Sequence, residues 1–149
     1  MTDIDELYQS TIVEHDRAPR NWGTLADATH HATVDNPLCG DVVTVQARLS
    51  GEVLREIAVH GRGCALSRAA ASIMSTMVRD RGSADARRLN EAFEALVNGA
   101  PDSAIADDEL GELRAFAGVR RFRSRRVCAT LPFRALMLAL DSQSIADEG

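Results

Sequence analysis

The chain has 149 residues, 45% hydrophobic and 26% charged, with a net charge of −5 and a pI near 5.3. That size and balance suit a single globular domain spanning residues 1–149, long enough to bury a core without disulfide staples. The acidity argues against general nucleic-acid binding, and no apolar run is long enough to span a membrane. The opening residues, Met1-Thr2-Asp3-Ile4-Asp5-Glu6, are acidic and do not read as a secretory leader. Three cysteines are an odd number, which points to a cytoplasmic protein whose thiols bind metal or do chemistry rather than pair as disulfides. All 17 basic residues are arginine, a compositional bias that needs no functional explanation by itself.

Residues 3–17 carry Ile4, Leu7, Tyr8, Thr11 and Ile12 at helical spacing, with Thr2 or Asp3 available as a cap and Pro19 beyond the end. Residues 18–38 look irregular apart from a short strand around His31–Val34, and Asn36-Pro37 signals a turn. Residues 42–49 alternate, with Val43, Val45, Ala47 and Leu49 on one side and Thr44, Gln46 and Arg48 on the other, as a half-buried strand does. Ser50-Gly51-Glu52 reverses the chain, and residues 53–60 return as a second strand with Ile57 and Val59 inward, forming an antiparallel hairpin.

After Gly61-Arg62-Gly63 the period changes. Leu66, Ala69, Ala70, Ile73, Met74, Met77 and Val78 mark a helix face, broken by Asp80-Arg81-Gly82-Ser83. Leu89, Ala92, Phe93, Leu96 and Val97 mark the next helix, which Asn98-Gly99-Ala100-Pro101 ends. Residues 102–118 are acidic, with Leu110, Leu113 and Phe116 on a short helix. A last helix covers about 126–140 with Leu131, Ala135, Leu136, Leu138 and Ala139 inward, and the residues from Asp141 on look frayed. Strands followed by helices predict an α+β fold, a small antiparallel sheet of about three strands packed against several helices.

Each cysteine lies in its own short motif. Cys39-Gly40-Asp41 precedes the first hairpin strand; in extended backbone, residues two apart point to the same side, so Cys39 and Asp41 would reach one ion. Taken alone, this motif is a weak signal and reads rather as a buried cysteine before a turn aspartate. Gly63-Cys64 stands where a strand hands over to a helix; the glycines permit positive φ, and a helix N-terminus favours negative charge on a thiol. Its plain alternative is a small apolar filler. Cys128 follows Arg120, Arg121, Arg123, Arg125 and Arg126, whose charge favours a thiolate or an acidic partner, though such runs are most often solvated edges. Three thiolates and a carboxylate are the number and type of ligands that close a tetrahedral zinc site. The separations of 25 residues from Cys39 to Cys64 and 64 from Cys64 to Cys128 exclude a local knuckle, so only the fold can assemble them. His15, His30, His31 and His60 form no metal-like pair and read as surface or capping residues.

Leu7-Tyr8, His15, Pro19-Arg20-Asn21-Trp22-Gly23, Asn36-Pro37-Leu38-Cys39-Gly40-Asp41, Gly61-Arg62-Gly63-Cys64-Ala65 and Cys128-Ala129-Thr130-Leu131 together resemble the U-type iron–sulfur assembly proteins, the IscU/SufU group related to the N-terminal domain of NifU. The resemblance spans nearly the whole chain and implies a SufE/NifU-like fold with Cys39, Asp41, Cys64 and Cys128 as the ligand set. A longer stretch between Cys64 and Cys128, about residues 98–118, and Val127 where IscU-type proteins carry a histidine point to the SufU branch. Val127 also departs from the lysine common in that branch, and Pro132 departs from a small helix former, so the last helix either starts near Leu131 or is kinked there.

What the resemblance implies is a zinc-dependent sulfurtransferase that takes persulfide sulfur from a SufS-type cysteine desulfurase, with a SufB/SufD-type scaffold downstream and Arg125 at the desulfurase contact. The desulfurase would exchange one zinc ligand and free a cysteine. Cys128 is the expected acceptor, because it is flanked by Arg125 and Arg126 and stands on an element apart from Cys39, Asp41 and Cys64. The alternative is a non-enzymatic scaffold holding a [2Fe-2S] cluster on the same thiolates, which the absence of a histidine beside Cys128 disfavours.

Overall fold

The structure is a computed structural model that describes residues 2–37, 40–99 and 107–142, with side chains left out of the description at residues 2–8, 107, 108, 120 and 121. Helix α1 (Thr2–Arg17) leads into strands β1 (His30–Asn36), β2 (Asp41–Ser50) and β3 (Val53–Arg62). Helices α2 (Ala65–Val78) and α3 (Ser83–Asn98), a 3₁₀-helical segment (Asp107–Arg121) and helix α4 (Arg123–Asp141) follow. This is the expected α+β arrangement.

The sheet is antiparallel in the order β1-β2-β3. The β2–β3 hairpin pairs Val45 with Val59 and Ala47 with Ile57, so the alternating apolar residues of both strands meet on one face. A bulge between Arg48 and Leu49 shifts the register near the turn, which leaves Leu49 only half-buried. Strand β1 is longer than its own pattern suggests; pairing with β2 from His30↔Ala47 to Asn36↔Asp41 extends it at both ends. The opposite face of the sheet is polar, and there Thr33 Oγ1 and Thr44 Oγ1 lie 2.7 Å apart.

Helix α4 packs across β1 and β2, and α2 packs across β3, α4 and α1. Helix α2 is buried nearly all round, including Ser67, Ser72 and Ser75, which an apolar period does not mark. The 3₁₀ segment, kinked at Gly111, delivers Leu110, Leu113 and Phe116 to the core as the spacing predicts. Phe116 meets Phe93 edge-on at 5.5 Å between ring centroids, and Phe93 meets Phe133 at 5.3 Å. The segment expected to distinguish the SufU branch therefore completes the hydrophobic core, though residues 100–106 lie outside the described ones.

Helix α4 begins at Arg123, three residues earlier than the apolar pattern suggests and well before Leu131. Pro132 lies inside it and is buried. A proline there cannot donate the i→i−4 bond that would end on the Cys128 carbonyl, so the turn carrying Cys128 is tied less tightly to the rest of the helix. Among the described residues, no helix is long and apolar enough to cross a membrane.

Candidate metal centre

One end of the sheet, where β2 starts and β3 hands over to α2, gathers three of the four proposed ligands. Asp41 is the first residue of β2, Cys64 is the N-cap of α2, and Cys128 lies in the second turn of α4. An oxygen of Asp41 and the two Sγ atoms all lie within 4.8 Å of one another. Tetrahedral zinc with thiolate bonds of about 2.3 Å holds its ligand atoms about 3.8 Å apart, so small side-chain rotations suffice to close this cluster on an ion. Its donor set of one hard carboxylate and two soft thiols fits that metal.

Asp41 is only 4% exposed, and a buried carboxylate needs hydrogen-bond donors. The backbone N–H of Cys64 donates to Asp41 Oδ1 at 3.3 Å, and Cys64 Sγ lies 3.5 Å from Oδ2. No side chain of the α2 N-cap residue caps the helix, so Asp41 from β2 supplies an acceptor that a capping residue within the helix would otherwise provide. A Cβ at Gly63 would stand 2.5 Å from Ser67 Oγ and 2.9 Å from Asp41 Cγ. Gly63 is therefore required for space, while the positive φ that the glycines permit is found at Gly61, at +150°.

Cys39 lies outside the described residues. Its neighbour Gly40 has φ of +78°, and the Gly40 N–H bonds to the Asn36 carbonyl at 2.7 Å. The expected extended run through Cys39-Gly40-Asp41 is thus broken by a turn at Gly40, in a conformation that glycine adopts at little cost.

The two described sulfurs differ. Cys64 is exposed at the mouth, whereas Cys128 is only 7% exposed beneath it. Arg123 and Arg125 are exposed, and Arg126 is half-buried with an Nε that has no hydrogen-bond partner. The Arg125 guanidinium carbon sits 4.6 Å from the centroid of the Phe122 ring. Phe122 itself is 50% exposed just before α4, a feature that apolar periodicity passes over because the residue belongs to no buried stripe. A lone aromatic inside an arginine run is the signal that marks it.

No histidine joins the cluster among the described residues. His15 corrects the surface or capping reading: it is 2% exposed, with Nδ1 2.7 Å from Ser72 Oγ and Nε2 3.2 Å from Glu112 Oε1. It ties α1 to α2 and to the 3₁₀ segment. The Pro19–Gly23 motif is structural as well. Arg20 N–H donates to Ser72 Oγ at 2.8 Å, Asn21 Nδ2 donates to Ser75 Oγ at 2.9 Å, and the Asn21 carbonyl accepts the Val59 N–H at 2.9 Å. Arg68, one turn along α2 from Cys64, lies 4.9 Å over the Trp22 ring and pairs with Asp16 at 2.8 Å. These contacts tie α1 and the Pro19–Gly23 segment to α2.

The model of the NifU-like N-terminal domain matches residues 7–129. The zinc-dependent sulfurtransferase SufU of Bacillus subtilis is 33% identical over 134 residues, covering 89% of this chain and 88% of that protein. The iron–sulfur cluster assembly scaffold protein IscU of Streptococcus pyogenes is 30% identical over 152 aligned positions, covering 99% and 94%. The crystal structure of an N-terminal NifU-like protein from Brucella abortus superposes with a TM-score of 0.81 at 26% identity, over 92% of this chain and 94% of that one.

Proposed function

We propose, from the premise that this chain belongs to the NifU-like N-terminal domain family of iron–sulfur cluster assembly proteins, that it is a zinc-dependent sulfur acceptor for a SufS-type cysteine desulfurase. The observation that carries this reading is the approach of Asp41, Cys64 and Cys128 to within 4.8 Å of one another, with Cys64 open to a partner. Cys39, two residues before Asp41, is the fourth ligand in this reading. Zinc is redox-silent and keeps thiols in the thiolate form.

The transfer is an exchange of sulfur bonds. A thiolate of this chain attacks the outer sulfur of the donor's persulfide, a new S–S bond forms, the donor's S–S bond breaks, and the donor cysteine leaves as a thiolate with the electron pair. Atoms and electrons balance without an external oxidant. Cys128 is assigned as the acceptor, since it stands on α4, an element apart from Asp41 on β2 and Cys64 at the start of α2, with Arg125 and Arg126 beside it in the chain. Sulfur then passes to a SufB/SufD-type scaffold. The exposure of Cys64 favours a second assignment, with Cys64 as the acceptor.

Two measurements test this. Elemental analysis of the purified protein is expected to give about one zinc per chain; stoichiometric iron in anaerobic protein would instead make it the [2Fe-2S] scaffold. Incubation with desulfurase and cysteine is expected to add one sulfur, about 32 mass units, to the peptide containing Cys128. An adduct on Cys64 or Cys39, with Cys128 unmodified, reassigns the acceptor.

A further inference from the structure

We propose that this chain forms a symmetric dimer by pairing strand β1 with β1 of a second copy, which joins the two sheets into one. The inference stands apart from the sulfur-acceptor reading, since no ligand of the candidate centre takes part in the contact.

The two edges of the sheet are treated differently. Along β3, the Val59 N–H donates to the Asn21 carbonyl and the Val59 carbonyl accepts the Gly23 N–H, each at 2.9 Å. Nearer the hairpin turn, the Leu54 N–H donates to the Arg81 carbonyl at 2.9 Å and the Leu54 carbonyl accepts the Asp80 N–H at 2.6 Å. That edge is covered. Strand β1 is the other edge. Backbone groups alternate in direction along a strand. Val59 faces away from β2, so Ala58, His60 and Arg62 bond to Gln46, Thr44 and Val42, which leaves Val43, Val45 and Ala47 to bond to Val34, Ala32 and His30. His31, Thr33 and Asp35 therefore aim their N–H and C=O groups outward. All three residues are exposed, and among the described residues these backbone groups have no partner. The 2.7 Å contact between the Thr33 and Thr44 hydroxyls agrees, because facing side chains stand closest at pairs that share no backbone bonds. Natural edges are blunted by shortness, lysine, proline or a bulge. Strand β1 has seven residues, contains neither lysine nor proline, and pairs with β2 in one unbroken register.

The sequence of this edge selects what covers it. His31-Ala32-Thr33-Val34-Asp35 is complementary to itself when run antiparallel about Thr33. Thr33 then exchanges both backbone bonds with Thr33 of the second copy, and His31 exchanges both with Asp35 of the second copy on each side of the axis. Every outward group is used. On the open face each imidazole lies opposite a carboxylate to which it donates; on the core side Ala32 lies opposite Val34, both only half-buried in the single chain. A slip of one residue sets outward groups against inward ones. A slip of two sets His31 opposite Thr33 or opposite Pro37, which has no N–H, and parts the opposite charges. The contact is isologous, the same patch on both copies, as a twofold dimer requires. It also leaves both metal centres open. The turn carrying Cys39 begins beyond Asn36, roughly 10 Å along the strand from the axis, and points opposite ways in the two copies. Cys64 lies past β3, on the far side of β2 from the contact.

Sedimentation of the purified protein over a concentration series tests this. A strand pair of this length buries less than the roughly 1,200 Å² of a standard interface, so a dissociation constant on the order of 100 µM is expected. His31→Asp and Asp35→His are each expected to weaken the dimer about tenfold or more, because like groups then face each other on both sides of the axis. An equimolar mixture of the two variants is expected to regain wild-type association, since every imidazole again meets a carboxylate. Thr33→Pro removes only an outward N–H, keeps the β1–β2 ladder, and is expected to weaken the dimer as well; it carries the test should a charge variant fail to fold. Wild-type protein that stays monomeric at about 1 mM overturns the proposal. So does a dimer that all three substitutions leave unchanged, which places the contact elsewhere. So does a mixture no more associated than its separate components, which excludes the pairing of His31 with Asp35.

Discussion

Two phenylalanines on α4 and its cap, eleven positions apart, meet opposite surroundings. Phe133 is fully buried and packs 5.3 Å from Phe93, which in turn meets Phe116. Phe122 is half-exposed, with the Arg125 guanidinium over its ring. Pro132 lies between them and separates two kinds of helix. Beyond it, Phe133, Ala135, Leu136 and Ala139 form the floor of the core. Before it come Arg123, Arg125 and Arg126, then Cys128 at the candidate centre. One continuous helix thus anchors itself by apolar burial at one end and presents chemistry at the other. Burial of the half beyond Pro132 fixes where α4 lies and so places Cys128 beside Asp41 and Cys64.

This contrast is tested by substitutions of graded effect. Phe133→Ala should cost the most, about 3–5 kcal/mol, the range for removing a buried aromatic ring. Chemical denaturation measures it; a cost below about 1 kcal/mol would mean the aromatic cluster does not anchor the helix. Removing zinc should come next. With free zinc a thousandfold above its dissociation constant, loading adds about 4 kcal/mol, so the chelated protein should keep its helical circular dichroism but melt at a lower temperature. A melting temperature unmoved by chelation would detach the centre from the fold.

Gly63→Ala should cost about 1–3 kcal/mol, because the added methyl overlaps Ser67 Oγ and Asp41 Cγ. Adding Ser67→Ala should restore part of that stability but not zinc binding, since the methyl still displaces Asp41; recovery of both would show that only the Ser67 clash matters. Phe122→Ala should change stability least, by no more than about 0.5 kcal/mol, as expected for an exposed side chain. A large drop in its melting temperature would place Phe122 with the core residues and erase the difference between the two halves of α4.

Much of the scaffold was legible beforehand because it is written in local periods. The alternation of Val43, Val45 and Ala47 and the helical spacing of Ile73, Met74 and Val78 each correspond to the observed buried face. Leu110, Leu113 and Phe116 were readable inside an acidic stretch for the same reason. The errors fall where burial does not follow apolarity. Ser72 and Ser75 are buried because their hydroxyls bond to His15, Arg20, Asn21 and the Ser72 carbonyl. His15 is buried because its ring nitrogens have partners on two other elements. The start of α4 was hidden because arginines favour a helix without marking a face.

At the centre, residue chemistry named the donors: thiols and a carboxylate are metal ligands wherever they stand, so Cys39, Asp41, Cys64 and Cys128 could be picked out one motif at a time. Their meeting is a long-range matter. Residues 41, 64 and 128 approach because β2 pairs with β3 in one register and α4 crosses β1 and β2 in one position. No local pattern encodes that register or that crossing. Which sulfur faces solvent, which lies beneath it, and that Phe122 stands outside the core were decided by tertiary packing alone, because exposure depends on which distant elements cover a side chain and not on the residue's own identity.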